Sequence, residues 1–111
     1  MNFLSLKTMY KLNYYVPIRA KEATKQALFD IGAGSFKNYE CCAWETLGVG
    51  QFRPSGNANP AIGQLDILEV LDEYKIEMIC TDELIELAVL TLKKIHPYEE
   101  VAYEVLKMED F

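Results

Sequence analysis

The order in which strand and helix patterns follow one another constrains the fold of this 111-residue chain more than any other feature. Alternation of apolar and polar residues predicts strands over 9–18, 38–52, 64–80 and 101–107. Apolar residues at helical spacing predict helices over 20–31 and 82–95. A strand-helix-strand unit that occurs twice, with right-handed crossovers, is typical of the ferredoxin-like βαββαβ sandwich. We therefore predict an α+β fold with a four-stranded antiparallel sheet and both helices on one face.

Local signals predict where these elements end. Thr81 is the predicted N-cap of the second helix, with acidic residues in the first turn, where the helix dipole favours them. Pro97 ends that helix, because the residue before a proline avoids helical geometry. Gly48 and Gly50 predict a bulge or a sharp bend inside the second strand. The second and third strands flank a single loop, 53–63, and so predict a long antiparallel hairpin.

Charge and hydropathy argue against two classes of partner. Seventeen acidic residues against eleven basic ones give a formal net charge of −6. This balance disfavours binding to nucleic acid or to an anionic membrane, since both require a basic surface. No apolar run approaches the ~20 residues that cross a bilayer, and the first eight residues lack the pattern of a secretory signal. We therefore expect reduced cysteines and a cytoplasmic protein.

The first candidate site is the segment after the second helix, which holds the only histidine. His96 and the carboxylates of Glu99, Glu100 and Glu77 are groups that bind divalent metal ions. Such sites normally gather three or four ligands, with more than one histidine or cysteine among them, so a corner histidine bonded to backbone is the alternative. Tyr98 completes this corner motif. We predict no catalytic residue, because the sequence positions no nucleophile beside the histidine.

The second candidate site is the loop 53–63. Its length exceeds that of an ordinary hairpin connection, and long loops carry function more often than short ones. Arg53 at the mouth of the loop could hold an anion, and Asn57 and Asn59 belong to the same predicted surface for a ligand or a partner. A solvated arginine in a passive loop is the alternative.

Two adjacent cysteines form a weaker candidate. Cys41 and Cys42 fall within the predicted second strand, where neighbouring side chains point to opposite faces of the sheet. They could not share a metal ion in that geometry, so we interpret them as small buried hydrophobic residues.

The predicted fold leaves one face of the sheet uncovered, because both helices pack on the other. On the open face Tyr15 and Ile79 are mixed with the charged residues Lys75, Glu73 and Glu77. Apolar residues on an open sheet, together with a hairpin too long for the body of the domain, predict a homo-oligomer.

Several short motifs follow one another along most of the chain. They are Met9-Tyr10-Lys11-Leu12, Ala27-Leu28-Phe29 with Gly32-Ala33-Gly34, Asn38-Tyr39, Cys42 and Trp44, Gly50-Gln51-Phe52-Arg53-Pro54, Asn59-Pro60 with Ile62-Gly63, and His96-Pro97-Tyr98-Glu99-Glu100-Val101-Ala102-Tyr103. Together they resemble a small domain that is inserted into YqfO-type members of the NGG-interacting-factor-three-like family. This domain also occurs as a stand-alone protein. That domain is similar to the PII signalling and CutA cation-tolerance proteins.

The resemblance implies a domain over 9–108, an N-terminal extension over 1–8 and a tail over 109–111, with Met9 as an alternative start. It implies a PII-like and CutA-like ferredoxin fold, a dimer or a trimer, and a hairpin that joins neighbouring subunits. The two-metal centre of the parent family and its similarity to a GTP cyclohydrolase belong to a flanking domain. The nucleotide-binding loop of PII proteins is missing, so neither ATP nor 2-oxoglutarate is implied.

These observations predict a non-enzymatic, oligomeric binding module with a regulatory role, whose ligand is a small molecule, a metal ion or a partner protein. A divalent-metal binder that uses His96 and nearby carboxylates is the alternative. A third hypothesis is an enzyme or accessory protein of the GTP cyclohydrolase type.

Overall fold

Four strands and two helices make up the fold, in the computed structural model that describes residues 8–111. Their order along the chain is β1 (Met9–Pro17), a 3₁₀ turn (Ile18–Ala20), α1 (Lys21–Asp30), β2 (Trp44–Phe52), β3 (Glu69–Thr81), α2 (Ile85–Ile95) and β4 (Tyr103–Met108). The strands form one antiparallel sheet in the order β2-β3-β1-β4. The predicted ferredoxin-like architecture is confirmed. Apart from Thr8, the predicted extension 1–8 lies outside the described residues.

The hydrophobic core lies between the sheet and the two helices. Alternate residues of β1 and β3 pack against one stripe of each helix, and the buried apolar residues are Leu12, Tyr14, Val16, Leu28, Ala33, Ile76, Met78, Cys80, Ala88 and Leu92. Thr24 is also fully buried, and a 2.9 Å hydrogen bond that it accepts from Tyr14 satisfies its hydroxyl group there. Ala23, which belongs to the predicted apolar stripe of the first helix, is exposed instead. Removal of this apolar surface from water is the main term that holds the helices on one face.

The hairpin formed by β2 and β3 extends beyond the rest of the sheet. β1 pairs with β3 only from Glu73 to Thr81, whereas β2 continues the pairing out to Glu69. The molecule is therefore elongated, with extents of 57 × 24 × 23 Å. Neither helix of the described part of the chain has the length and apolar character needed to cross a bilayer.

The predicted bulge in β2 is wrong. Each residue from Trp44 to Phe52 pairs with one residue of β3 in an unbroken register. Residue 50 is a glycine for a different reason: the carboxylate of Glu73 fills the space that a Cβ atom would occupy.

Three predicted boundaries are also corrected. Residues 38–43 lie outside β2: Tyr39 forms only an isolated bridge with Phe36, and Cys41 has a left-handed φ of 58°, which a strand does not accept. Cys41 is exposed and Cys42 is half-buried, so the prediction of two buried cysteines on a strand is wrong. Thr81 is the last residue of β3, and α2 begins four residues later at Ile85, after Leu84 as the N-cap. The third strand begins at Glu69 rather than 64.

Candidate functional site

The corner after α2 is built around a buried histidine. The helix ends at Ile95, and His96 takes an extended conformation, as expected before Pro97. The imidazole is only 5% exposed, and its Nε2–H donates to the carbonyl oxygen of Tyr15 over 2.7 Å. Its Nδ1 accepts the backbone N–H of Tyr98 over 3.1 Å. A carbonyl oxygen can only accept, so these two bonds define a neutral imidazole with the proton on Nε2.

The surroundings of His96 favour this neutral form. Burial lowers the pKa of the imidazole below its ordinary value, because the charged form would lose its hydration. The bond to the Tyr15 carbonyl and the negative charge of Glu73 act in the opposite direction and are smaller. His96 therefore joins β1 to the corner as a neutral, structural group.

Three of the four predicted metal ligands, His96, Glu99 and Glu77, have other partners. Both ring nitrogens of His96 are already bonded to backbone, and Glu99 Oε1 accepts the backbone N–H of Asn59 over 2.8 Å. Glu77 forms an ion pair with Lys11 on the open face of the sheet, which lowers the pKa of its carboxyl group. Within residues 8–111, no group of three or more histidine, cysteine or acidic side chains could hold a metal ion. The metal site stays a prediction, without support from this geometry.

The hairpin loop folds back toward the corner. Asp66 donates its backbone N–H to the carbonyl oxygen of Pro54, which closes the base of the loop over 2.7 Å. The bond from Asn59 to Glu99 then ties the middle of the loop to the corner, across 40 positions of sequence. Arg53 lies at the mouth of the loop as predicted, whereas Asn57 is an exposed turn residue.

A cleft of about 390 Å³ lies between the loop and the corner. Its lining residues are Tyr15, Gln51, Phe52, Arg53, Pro54, Ser55, Ala58, Pro60, Ala61, Ile62, Glu73, Tyr98, Glu99, Glu100 and Ala102. The structure thus brings Arg53 of the predicted loop to the same cleft as Tyr98, Glu99 and Glu100 of the predicted corner. It does not bring Asn57 or Glu77 there.

Tyr98 and Glu73 form the polar centre of this cleft. The hydroxyl group of Tyr98 donates to Glu73 Oε2 over 2.9 Å. Burial of the phenol, followed by this bond to a carboxylate, raises the pKa of Tyr98 above its ordinary value. The ring of Tyr98 lies 5.9 Å from that of Phe52, at an interplanar angle of 58°, and both residues line the cleft.

Several cleft residues were not predicted, with Glu73, Tyr15 and Phe52 foremost among them. The strand periods place Glu73 and Tyr15 on the open face, which is the signal that could have identified them. No local pattern shows that the loop would cover that face, because the loop reaches the corner only through the tertiary fold.

Comparison with known proteins identifies the relatives of this chain. No protein-family model matches it. A Listeria monocytogenes protein named GTP cyclohydrolase 1 type 2 homolog is 41% identical over 100 residues, which is 89% of this chain and 27% of that protein. The Staphylococcus epidermidis protein of the same name is 37% identical over 99 residues. The chain therefore spans about a quarter of the length of the curated relatives it matches.

Solved structures show the same relationship and extend it to the fold. A Bacillus cereus protein related to NIF3 superposes with a TM-score of 0.79 at 33% identity, covering 94% of this chain and 26% of that one. The divalent ion tolerance protein CutA1 from Ehrlichia chaffeensis superposes with a TM-score of 0.69 at 16% identity, covering 96% of this chain and 86% of that one. For GlnK from B. subtilis the TM-score is 0.54 at 18% identity, and the match covers 91% and 85% of the two chains.

The likenesses to CutA1 and GlnK fall below 25% identity and show the fold alone. The resemblance read from the motifs is confirmed at the level of a domain: the chain is homologous to the PII-like and CutA-like domain of YqfO-type members of the NIF3 family, and matches those proteins over about a quarter of their length.

Proposed function

We propose that this chain is an oligomeric binding module of the PII and CutA type, with a regulatory role, which binds a small ligand or a segment of a partner protein in the cleft. A single observation carries the proposal. The loop and the corner, two surfaces far apart in the sequence, close on one cleft and are joined there by the bond from Asn59 to Glu99.

The size and lining of the cleft support this role. Ligand sites in proteins have volumes of roughly 300–1,000 Å³, with mostly apolar walls and a few placed polar groups. The cleft falls within that range at about 390 Å³. Its aromatic and small apolar residues accompany a few charged groups, among them the carboxylate of Glu73, which accepts a hydrogen bond from Tyr98.

We propose that the module is a dimer or a trimer. Large apolar side chains remain exposed along the hairpin, namely Trp44, Leu47, Val49, Leu65, Ile67, Leu68 and Val70. Their solvent contact in a single chain is unfavourable, and a neighbouring subunit would remove it. Light scattering at micromolar concentration tests this part of the proposal, and a monomer would contradict it.

The other hypotheses receive less support. A metal ion remains a possible class of ligand, but the bonds of His96 and Glu99 leave no ready set of protein ligands within residues 8–111. We propose a non-enzymatic role and expect no turnover of guanosine triphosphate. The three free cysteines are consistent with a cytoplasmic location, which we propose on that basis.

A substitution that fills the cleft tests the binding role. Ala61 is an exposed lining residue, so Ala61→Trp should occupy the cleft without disturbing the core. Nuclear magnetic resonance titration with small amines, alcohols and carboxylates should shift the amide signals of cleft residues in the natural chain and not in this variant. Ala23→Trp, on the exposed surface of α1, is the matched control and should bind like the natural chain. Equal binding by Ala61→Trp would contradict the proposal.

A further inference from the structure

We propose that the ligand of this cleft is an organic cation, an alkylammonium group on an apolar stem, with Glu73 as its counter-ion and Phe52 and Tyr98 as its aromatic walls. This inference rests on the proposed role of the cleft as a ligand site and adds the chemical class of the ligand.

The balance of charge in the cleft is the first argument. Three carboxylates line it, those of Glu73, Glu99 and Glu100, against one guanidinium group, that of Arg53. Within residues 8–111, none of these carboxylates forms an ion pair with a lysine or an arginine. Glu73 is half-buried, whereas Glu99 and Glu100 are exposed. The fold therefore leaves one partly buried negative charge without an ion pair, where a cation would be attracted more strongly than in bulk water.

The position of Glu73 is the second argument. Its side chain leans over Gly50, where any Cβ atom would collide with the carboxylate. Tyr98 donates to Oε2 from the other side. A carboxylate offers about four acceptor positions, and the tyrosine uses one of them. Glu73 thus occupies the space that the glycine leaves open, is bonded by the phenol of Tyr98, and keeps lone pairs for a further donor.

The aromatic walls are the third argument. An ammonium group is attracted to the face of a tyrosine or phenylalanine ring within about 6 Å of its centre. The rings of Phe52 and Tyr98 both line the cleft, 5.9 Å apart, and the Tyr98 hydroxyl group is bonded to Glu73, so aromatic surface accompanies this carboxylate. Small apolar residues of the loop continue the wall and can cover a hydrocarbon stem, namely Pro54, Ala58, Pro60, Ala61 and Ile62.

An anion fits the same cleft less well. Among the lining residues within 8–111, Arg53 alone is cationic, and it is exposed. A carboxylate or phosphate bound by Arg53 would lie among three like charges, which is destabilising in a site of reduced dielectric.

Three five-carbon probes separate charge from shape. Pentylamine, 1-pentanol and pentanoate share an apolar stem and differ in charge. Titration of the full chain, followed by amide resonance shifts, should give binding of pentylamine around Gly50, Glu73 and Tyr98. The alcohol should bind at least about tenfold more weakly, and the carboxylate more weakly still, because hydrogen bonds to charged groups are worth roughly 1.5–3 kcal/mol. Raised salt should weaken only the binding of pentylamine.

Two glycines in one strand provide the decisive variants. Gly50→Ala should displace the Glu73 carboxylate, because a new Cβ atom meets the end of that flexible side chain. Gly48→Ala is the matched control, since nothing lies within 4 Å of its new Cβ atom. We expect Gly50→Ala and Glu73→Gln to weaken pentylamine binding at least about tenfold. Gly48→Ala and the exposed Glu109→Gln should leave it unchanged, and circular dichroism should show that all four variants fold.

The outcomes separate this inference from the proposed function. Binding of pentylamine that is equal in Glu73→Gln and the natural chain would overturn the inference. Preference for pentanoate would also overturn it and would leave a ligand site in place. If no probe shifts the cleft resonances, both proposals fail. A short peptide with a central lysine distinguishes the sources of the cation: tighter binding of the peptide supports a side chain of a protein partner, and tighter binding of pentylamine supports a free amine.

Discussion

Glu45 and Glu73 lie on the two strands of the same hairpin, on opposite faces of the sheet, and their carboxylates have different partners. Glu45 lies on the face that the helices cover, where it binds Lys21 over 2.7 Å and Lys25 over 2.9 Å. Glu73 lies on the open face, where a neutral phenol donates to it and no lysine or arginine of residues 8–111 pairs with it.

The difference follows from what each face of the sheet can supply. Lys21 and Lys25 are one helical turn apart on α1, so both ammonium groups reach the same carboxylate. Hydrogen bonds from these two lysines lower the pKa of Glu45, that from Lys21 first. Neither α1 nor α2 packs on the open face, and the loop 53–63 that reaches it brings apolar residues and one arginine, while Glu99 and Glu100 come from the corner. Within residues 8–111 the fold thus pairs one carboxylate with lysines and leaves the other without an ion pair.

Substitution of His96 should have the largest effect on stability. It acts on the corner that carries Tyr98, the hydrogen-bond partner of Glu73, and not on the ion pairs of Glu45. His96→Ala leaves the Tyr15 carbonyl and the Tyr98 N–H without their partner and opens a void beneath the corner. We expect the free energy of unfolding to fall by about 2–4 kcal/mol, measured by chemical denaturation. Lys94→Ala, at an exposed position of α2, should change it by less than about 0.5 kcal/mol.

The difference in unfolding free energy between the natural chain and His96→Ala should depend on pH. Burial lowers the pKa of His96 in the folded chain, so the unfolded chain binds the proton more readily. The stabilisation linked to a neutral His96 is present above the unfolded value of about 6.5 and is lost as the pH falls below it toward the folded value. Denaturation from pH 7.5 to 5 should therefore bring the natural chain and His96→Ala closer together. A constant difference across this range would argue against a buried neutral imidazole.

Removal of one hydroxyl group in the cleft should have an intermediate effect. Tyr98→Phe deletes the hydrogen bond to Glu73 and keeps the aromatic wall. A net loss of about 1 kcal/mol in unfolding free energy is expected for a bond of this kind, and thermal or chemical unfolding would measure it. Tyr103→Phe serves as the control, since within residues 8–111 its hydroxyl group has no hydrogen-bond partner. If the two variants lose the same stability, Tyr98 does not hold Glu73 in place.

Neutralisation of each carboxylate in turn should give the smallest effect and test the comparison directly. Glu45→Gln breaks two partly exposed ion pairs and should lower the stability at neutral pH by less than about 1 kcal/mol. Because the pKa of Glu45 is lowered, this contribution is present above its ordinary value of 4.5 and is lost as the pH falls below it. Glu73→Gln breaks no ion pair and should cost less at neutral pH. The reverse ranking would show that Glu73 is compensated within the fold.

Much of the fold, and part of the site, could be predicted from local patterns. Alternation in β1 and β3 identified both faces of the sheet, and Pro97 identified the end of α2. The boundary of β2 was wrong, because strand-forming residue types before Trp44 do not reveal the left-handed φ of Cys41. The role assigned to Gly50 was wrong as well, since the reason for this glycine is a side chain on another strand.

The sequence alone determined the architecture and the two candidate surfaces, because hydrophobic periods, prolines and long loops act over a few residues. The tertiary structure determined how those two surfaces meet and which groups bond to one another. It placed Asn59 on Glu99 and bonded His96 Nε2 to the carbonyl group of Tyr15. It also gave lysines to Glu45 but, within residues 8–111, none to Glu73. These partners lie 20 to 81 positions apart in the chain. Contacts at such separations depend on strand register and on the path of the loop, which no local period encodes.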